Sequence, residues 1–186
     1  DMHSCGKPSV ETDKCVACGE CARNCAHEGP QLRDGKMYIN QINCMGCGRC
    51  LDVCPTGAIY HNNNLAAEIL NCKMAEYAKA VINGRPQFHI SLVCDVSPYC
   101  DCHAENDIPI VPDVGMFASF DPVALDLACA DAVNAQVANP GSKLAAANRP
   151  DLDNLTAPFP HTSWRAQIEH AKKIGLGEDS YELVTI

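Results

Sequence analysis

Cysteine is the residue in this chain whose number and spacing point most directly to chemistry. There are 14 in 186 residues, and eight of them fall in two short runs. Cys15, Cys18, Cys21 and Cys25 are spaced C-x2-C-x2-C-x3-C, and Cys44, Cys47, Cys50 and Cys54 repeat that spacing 29 residues later, closed by Pro55. Two CxxC pairs alone would suit zinc, but a tetrahedral zinc site has no use for the additional thiols. Three thiolates two residues apart can each reach a different iron of a cubane. The fourth cannot come from the same tight loop without strain, so in two-cluster proteins it comes from the neighbouring run. On that reading Cys15, Cys18, Cys21 and Cys54 hold one [4Fe–4S] cluster, and Cys44, Cys47, Cys50 and Cys25 hold the second. Both second positions, Cys18 and Cys47, are cysteine, which argues against a three-iron centre. Gly19, Gly46 and Gly48 let the backbone approach cluster sulfurs and donate N–H bonds that tune potential. Ala26 stands where proline usually follows the fourth cysteine. That leaves ligation intact but alters the turn near His27, which reads as an exposed turn histidine.

Six cysteines lie outside the runs: Cys5, Cys72, Cys94, Cys100, Cys102 and Cys129. Cys72 and Cys129 fall in helical stretches and Cys94 in an apolar strand, where thiols serve as small core residues. Cys100-Asp101-Cys102-His103 follows that strand, where α/β domains place their sites. It suits a third metal or cluster site, helped by Cys5 or Cys94, or a redox-active thiol pair, or an ordinary loop with free thiols. Ser119, Asp121 and Asp126 form a second polar concentration, read as capping and turn chemistry ahead of a pocket.

The elements that must position these residues divide near residue 62. Residues 1–62 are read as a two-cluster module, with strands at Lys36–Asn40 and Gly57–His61 and no helix or strand signal before residue 35. Asn62, Asn63 and Asn64 are candidate caps for a helix running to about Ile82, with Leu70, Met74, Tyr77 and Val81 on one face. Phe88–Val96 reads as a buried strand and Ser97–Gly115 as loop. Asp121 and Pro122 cap a buried helix from Val123 to about Val137. Residues 139–161 read as a long loop, and Thr162 or Ser163 caps a last helix carrying Trp164, Ile168 and Ala171. One strand and three helices do not complete a sheet. Residues 63–186 are therefore read as part of an α/β domain whose other strands come from elsewhere, and the chain as α+β overall.

Charge narrows the partners. The formal net charge is −9. Residues 1–62 carry 7 acids and 6 bases, whereas residues 63–186 carry 16 acids and 8 bases. No basic patch suggests nucleic acid, and no segment is apolar for long enough to span a membrane. An acidic face suits a basic redox partner or simple solubility. The first eight residues hold no apolar signal-peptide run, so the thiols are read as reduced and metal-bound in the cytoplasm of an organism that tolerates oxygen-sensitive cofactors.

Residues 15–61 resemble bacterial-type ferredoxins with two clusters. A wider set of motifs goes further: Met2-His3-Ser4, Lys7-Pro8, Asp95-Val96-Ser97-Pro98 before Cys100-Asp101-Cys102, Val111-Pro112-Asp113-Val114-Gly115, Ala118-Ser119, Asp121-Pro122-Val123-Ala124 and Gln167–Gly177. Together these resemble a family of bacterial and archaeal iron–sulfur proteins in which a two-cluster ferredoxin is embedded in a domain of unknown function. That family implies iron–sulfur electron transfer and members about twice this length, with an α/β half preceding the region seen here. It supplies no substrate and no catalytic residue. The resemblance leaves two main readings: an electron relay between a donor and an acceptor protein, or an oxidoreductase whose clusters feed a site near Cys100 and Cys102. A purely structural role for the clusters is a third. Assembly as a homo-oligomer or with the missing half is compatible with each.

Overall fold

A computed structural model describes residues 6–62, 66–100 and 108–186. These fall into two compact units, one ending at Leu70 and the other beginning at Asn71. The mixture of short sheets and helices is an α+β architecture.

The first unit is an internal repeat with a pseudo-twofold arrangement. Strand β1 (Pro8–Val10), helix α1 (Glu20–Arg23) and strand β2 (Pro30–Arg33) are followed by β3 (Lys36–Ile39), α2 (Arg49–Asp52) and β4 (Ile59–His61). Pairing crosses between the copies: β1 lies antiparallel to β4, with Val10 opposite Ile59, and β2 antiparallel to β3, with Leu32 opposite Met37. Asp34 and Gly35 turn the β2–β3 hairpin at φ 50° and 75°, the left-handed pair that a two-residue hairpin turn requires. The expectation of no element before residue 35 is therefore wrong: β1, α1 and β2 all precede it. They are only three or four residues long, too short to show a periodicity.

The unit's core is itself cysteine-rich. Cys15, Cys21, Met37, Ala58 and Ile59 are buried together, with Val10, Cys50, Leu51 and Cys54 packed against them. Few aliphatic side chains support this core without the thiols.

The second unit begins within α3 (Ala66–Ile82), which crosses the boundary. Strands β5 (His89–Val93) and β6 (Gly115–Ser119) form an antiparallel pair with Ile90 opposite Ala118 and Leu92 opposite Met116. Helix α4 (Pro122–Asn134) packs against both strands. Asp121 caps it, its carboxylate accepting from Val123 N at 2.8 Å and Ala124 N at 3.0 Å. The same carboxylate accepts from Glu178 N, and Ser119 Oγ accepts from Asp121 N. The capping reading of Ser119 and Asp121 matches these bonds. One core gathers Val93, Ile110, Val111, Val133, Leu144 and Ala157, and another Ala75, Val123, Ile168 and Ala171.

Several expectations for this unit are corrected. The strand at Phe88–Val96 is shorter and is not buried on both sides. Ile90, Leu92 and Met116 are 60 %, 68 % and 69 % exposed, because only the opposite face meets α4. The stripe of Met74, Tyr77 and Val81 on α3 is also exposed, and Ala75 is the buried residue there. Helix α4 stops at Asn134, leaving Val137 exposed. The long loop contains a short helix, α5 (Lys143–Ala147), capped by the buried hydroxyl of Ser142. The last helix, α6 (Arg165–Lys173), is preceded by Trp164 at the cap position and not by Thr162 or Ser163. The indole N–H of Trp164 instead donates to Asp153 at 3.2 Å. Of the three candidate caps for α3, Asn63 and Asn64 lie outside the described residues.

Candidate metal centre

Each cysteine run folds as a loop that enters a one-turn helix. Gly19 and Gly48 occupy the residue before α1 and α2 at φ 80° and 82°. Only glycine adopts that left-handed geometry without strain. The loop can thereby reverse so that its second and third cysteines, on either side of the glycine, present to one side.

A recess in the first unit is lined by Cys15, Cys18, Cys21 and Cys54, with Met37 and Ile59 as apolar walls. Three of those thiols belong to the first run and one to the second. Some of the other four are also near one another. Gly29 has Cys44 Cβ and Cys25 Sγ at 3.5 and 3.7 Å from the place its own Cβ would occupy, so both cysteines approach the same residue. Cys44 and Cys47 lie close enough to Cys50 to oppose its ionisation.

The ionisation of these thiols reports their surroundings. Burial, joined by the neighbouring charges of Cys44, Cys47 and Cys21, pushes Cys50 up to about 12. Burial and the charges of Cys18 and Cys15 also raise Cys21. Cys54 goes the other way. Burial acts to raise it, but the Thr56 hydroxyl and the N–H groups of Thr56, Ala58 and Ile59 outweigh that and bring it down. Further donors reach other sulfurs: Ala17 N and Met37 N to Cys15 Sγ, each at 3.5 Å, and His27 N to Cys25 Sγ at 3.4 Å. Amides aimed at sulfur are the environment of metal-bound thiolates. Crowded thiols that resist ionising together are relieved by a cationic iron core, whose binding releases their protons. The donor set therefore fits iron–sulfur clusters.

The thiols outside the two runs are more dispersed. Cys129 is half-buried against the core around Val93 and Val133 and bonds to Ser91, as a core thiol would, whereas Cys72 is half-buried and belongs to none of the core clusters among the described residues. Cys94 is exposed at the end of β5, which corrects its reading as a core residue. Cys100 is exposed, while Cys5, Asp101, Cys102 and His103 lie outside the described residues. His27 is exposed in a turn, as expected. The sequence reading passed over the cations at the first loop. Lys36 Nζ donates to Cys15 O at 2.7 Å and Arg23 to Cys18 O at 3.0 Å. No spacing rule links Lys36 to Cys15, which lies 21 residues away.

Comparison with known proteins agrees with this geometry. A family model described as a 4Fe-4S dicluster domain matches residues 7–55. A second, described as a domain of unknown function (DUF362), matches residues 35–131, just over half of the chain. A 7Fe ferredoxin of Hydrogenibacillus schlegelii is 34 % identical over 62 residues, 33 % of this chain and 74 % of the ferredoxin. A ferredoxin of Saccharopolyspora erythraea is 31 % identical over 77 residues, 41 % of this chain and 64 % of that protein. The indolepyruvate oxidoreductase subunit IorA of Methanothermobacter thermautotrophicus is 42 % identical over 55 residues, 29 % of this chain. The match spans only 9 % of that subunit's length. No solved structure matches the chain. The prosthetic groups are two [4Fe–4S] clusters, groups whose chemistry is one-electron transfer. No helix among the described residues is long and apolar enough to cross a membrane.

Proposed function

The chain belongs to the DUF362 family, and on that premise we propose that its first unit relays single electrons between two redox proteins. Cys15, Cys18, Cys21 and Cys54 hold one cluster, and Cys44, Cys47, Cys50 and Cys25 hold the other. The observation that carries this assignment is the recess, where three thiols of the first run meet Cys54 of the second. When bound, each cluster accepts or gives up one electron with little change of geometry. The protein's part is to hold the thiolates, exclude water from Cys15 and Cys21, and leave Cys18 and Cys47 exposed where partners can approach.

The relay is tested by rapid mixing. The anaerobically purified chain, reduced with dithionite, should pass electrons to an oxidised one-electron acceptor protein within the mixing experiment. Clusters that dithionite cannot reduce would overturn the relay. Cytoplasmic placement belongs to the same reading.

Residues 63–186 form, on this proposal, part of an α/β domain completed by a segment outside these residues or by another chain. Support comes from the exposed apolar face of β5 and β6 and the exposed stripe on α3. An oxidoreductase site near Cys100 and Cys102 is the second reading, favoured by exposed Cys94 and Cys100 after β5. If these thiols carry a cluster, Cys100→Ser with Cys102→Ser lowers iron by about a third of a three-cluster total. Unchanged iron would exclude a cluster there.

A further inference from the structure

The turn after the last cysteine of each run is built twice, with different side chains beside the sulfur. Cys54-Pro55-Thr56 repeats the place of Cys25-Ala26-His27, 29 residues on. In both copies the backbone N–H two residues beyond the cysteine donates to its sulfur: His27 N to Cys25 Sγ at 3.4 Å, and Thr56 N to Cys54 Sγ. At Cys54 the side chain of that residue adds a second donor. The Thr56 hydroxyl lies 3.7 Å from Cys54 Sγ, inside the longer reach that a sulfur atom allows. His27, the counterpart, has no hydroxyl and is exposed.

With its proton, Cys54 is as able to donate as Thr56. As a cluster ligand it is a thiolate, so the hydroxyl becomes the donor and the sulfur the acceptor. Thr56 also lines the recess in which Cys54 meets Cys15, Cys18 and Cys21. An electron added to a cluster is shared with its sulfur ligands. A hydrogen bond to a ligand sulfur is therefore stronger in the reduced state, and it raises the potential. The amides of Thr56, Ala58 and Ile59 act on Cys54 in the same sense, but they belong to the backbone and survive a side-chain substitution. The hydroxyl is the separable part. Thr56 is exposed, so water competes for the hydroxyl and the effect is that of one modest hydrogen bond.

Resting on the ligand assignment above, we propose that Thr56 is a positioning residue of the first site: its hydroxyl, bonded to Cys54 Sγ, holds the Cys15, Cys18, Cys21 and Cys54 cluster at a higher reduction potential than the backbone amides alone would give. Thr56 acts through the one ligand that crosses from the second run. The closing turn of the second run thereby tunes the cluster of the first. The electron comes from the donor protein, the cluster is reduced by one electron, and the hydroxyl keeps its proton. No covalent bond is made or broken.

The test uses the full chain, purified anaerobically, with iron and acid-labile sulfide measured first. Samples poised at a series of potentials are read by EPR and by the paramagnetically shifted NMR signals of isotope-labelled cysteines, which report the reduced fraction at each site. Thr56→Val keeps the branched shape and removes the hydroxyl. It should lower the reduced-to-oxidised ratio at the Cys54 site about fivefold at a fixed potential, with a smaller change at the Cys25 site. Thr56→Ala should match it, and Thr56→Ser should return the ratio to that of the parent. An unchanged ratio in Thr56→Val and Thr56→Ala at full iron content, or a ratio in Thr56→Ser no higher than in Thr56→Ala, would overturn the proposal. A parent chain holding about four irons would overturn the two-cluster assignment beneath it instead.

Discussion

Cys21 and Cys50 lie in one buried cluster although they belong to different cysteine runs, and charge on Cys21 is among the influences that keep Cys50 from ionising. They occupy the third position of each run, inside α1 and α2, which pack together. The second positions, Cys18 and Cys47, are exposed. The unit thus has an inner junction and two outer faces, the layout a relay needs.

Iron removal should unfold the first unit and spare the second. The first unit's buried side chains include two of its own cluster cysteines, and metal affinity there is folding energy. Chelation under reducing conditions should therefore erase the dispersed amide signals of residues 6–62. The fluorescence of Trp164, the chain's one tryptophan, should stay native. Retention of the first unit's amide pattern without iron would contradict this.

Cys25 and Cys44 both approach Gly29. A methyl there meets Cys44 at 3.5 Å, an ordinary contact, so Gly29→Ala should keep its iron. Gly29→Val adds bulk between the thiols and should lose about half the iron, with one cluster's EPR signal remaining. Full iron in the valine variant would show that these thiols share no site.

Asp126 makes the second unit's stability depend on pH. Burial raises its carboxyl above the ordinary value, against the opposing effects of nearby His89 and a bond from Gln167. Below the unfolded value of about 4 the group is protonated in both states and costs nothing. Stability falls as pH rises through the interval up to the folded value, because the native state then holds more protons than the unfolded one. Asp126→Asn removes that fall. Urea unfolding followed by Trp164 fluorescence should find the variant more stable than the parent at pH 7, the gap closing at pH 4. A constant gap would mean the carboxyl does not titrate differently on folding.

The bare face of β5 and β6 should drive association. Leu92 and Met116 stand opposite each other and are exposed, and contiguous apolar surface of this kind marks an interaction site or an aggregation hazard. Leu92→Lys with Met116→Lys should reduce concentration-dependent association in light scattering, with little change in the unfolding midpoint. Unchanged association would place the contact elsewhere.

The chemistry was legible in the cysteine spacing, because a cluster imposes its own geometry on the chain. The strand at Lys36–Ile39 and the helix through Ile168 and Ala171 were legible as well, since each has an apolar pattern with a buried face. β1, α1 and β2 were not, because their positions come from the repeat and from pairing with distant strands. Two signals could have found β2: the Asp34-Gly35 turn, and a shift of the Gly57–His61 strand back by the 29-residue repeat. The Phe88–Val96 run looked buried because its composition is that of a strand covered on both sides. Sequence pattern reports what a strand is suited to meet, and here only α4 meets it.

The central claim is that two four-iron clusters share eight cysteines across the two runs. Iron and acid-labile sulfide should be measured on the anaerobically purified chain, with EPR on the reduced sample. The account predicts about eight irons and eight sulfides per chain, with two magnetically interacting signals. About four irons, or zinc in place of iron, would contradict it.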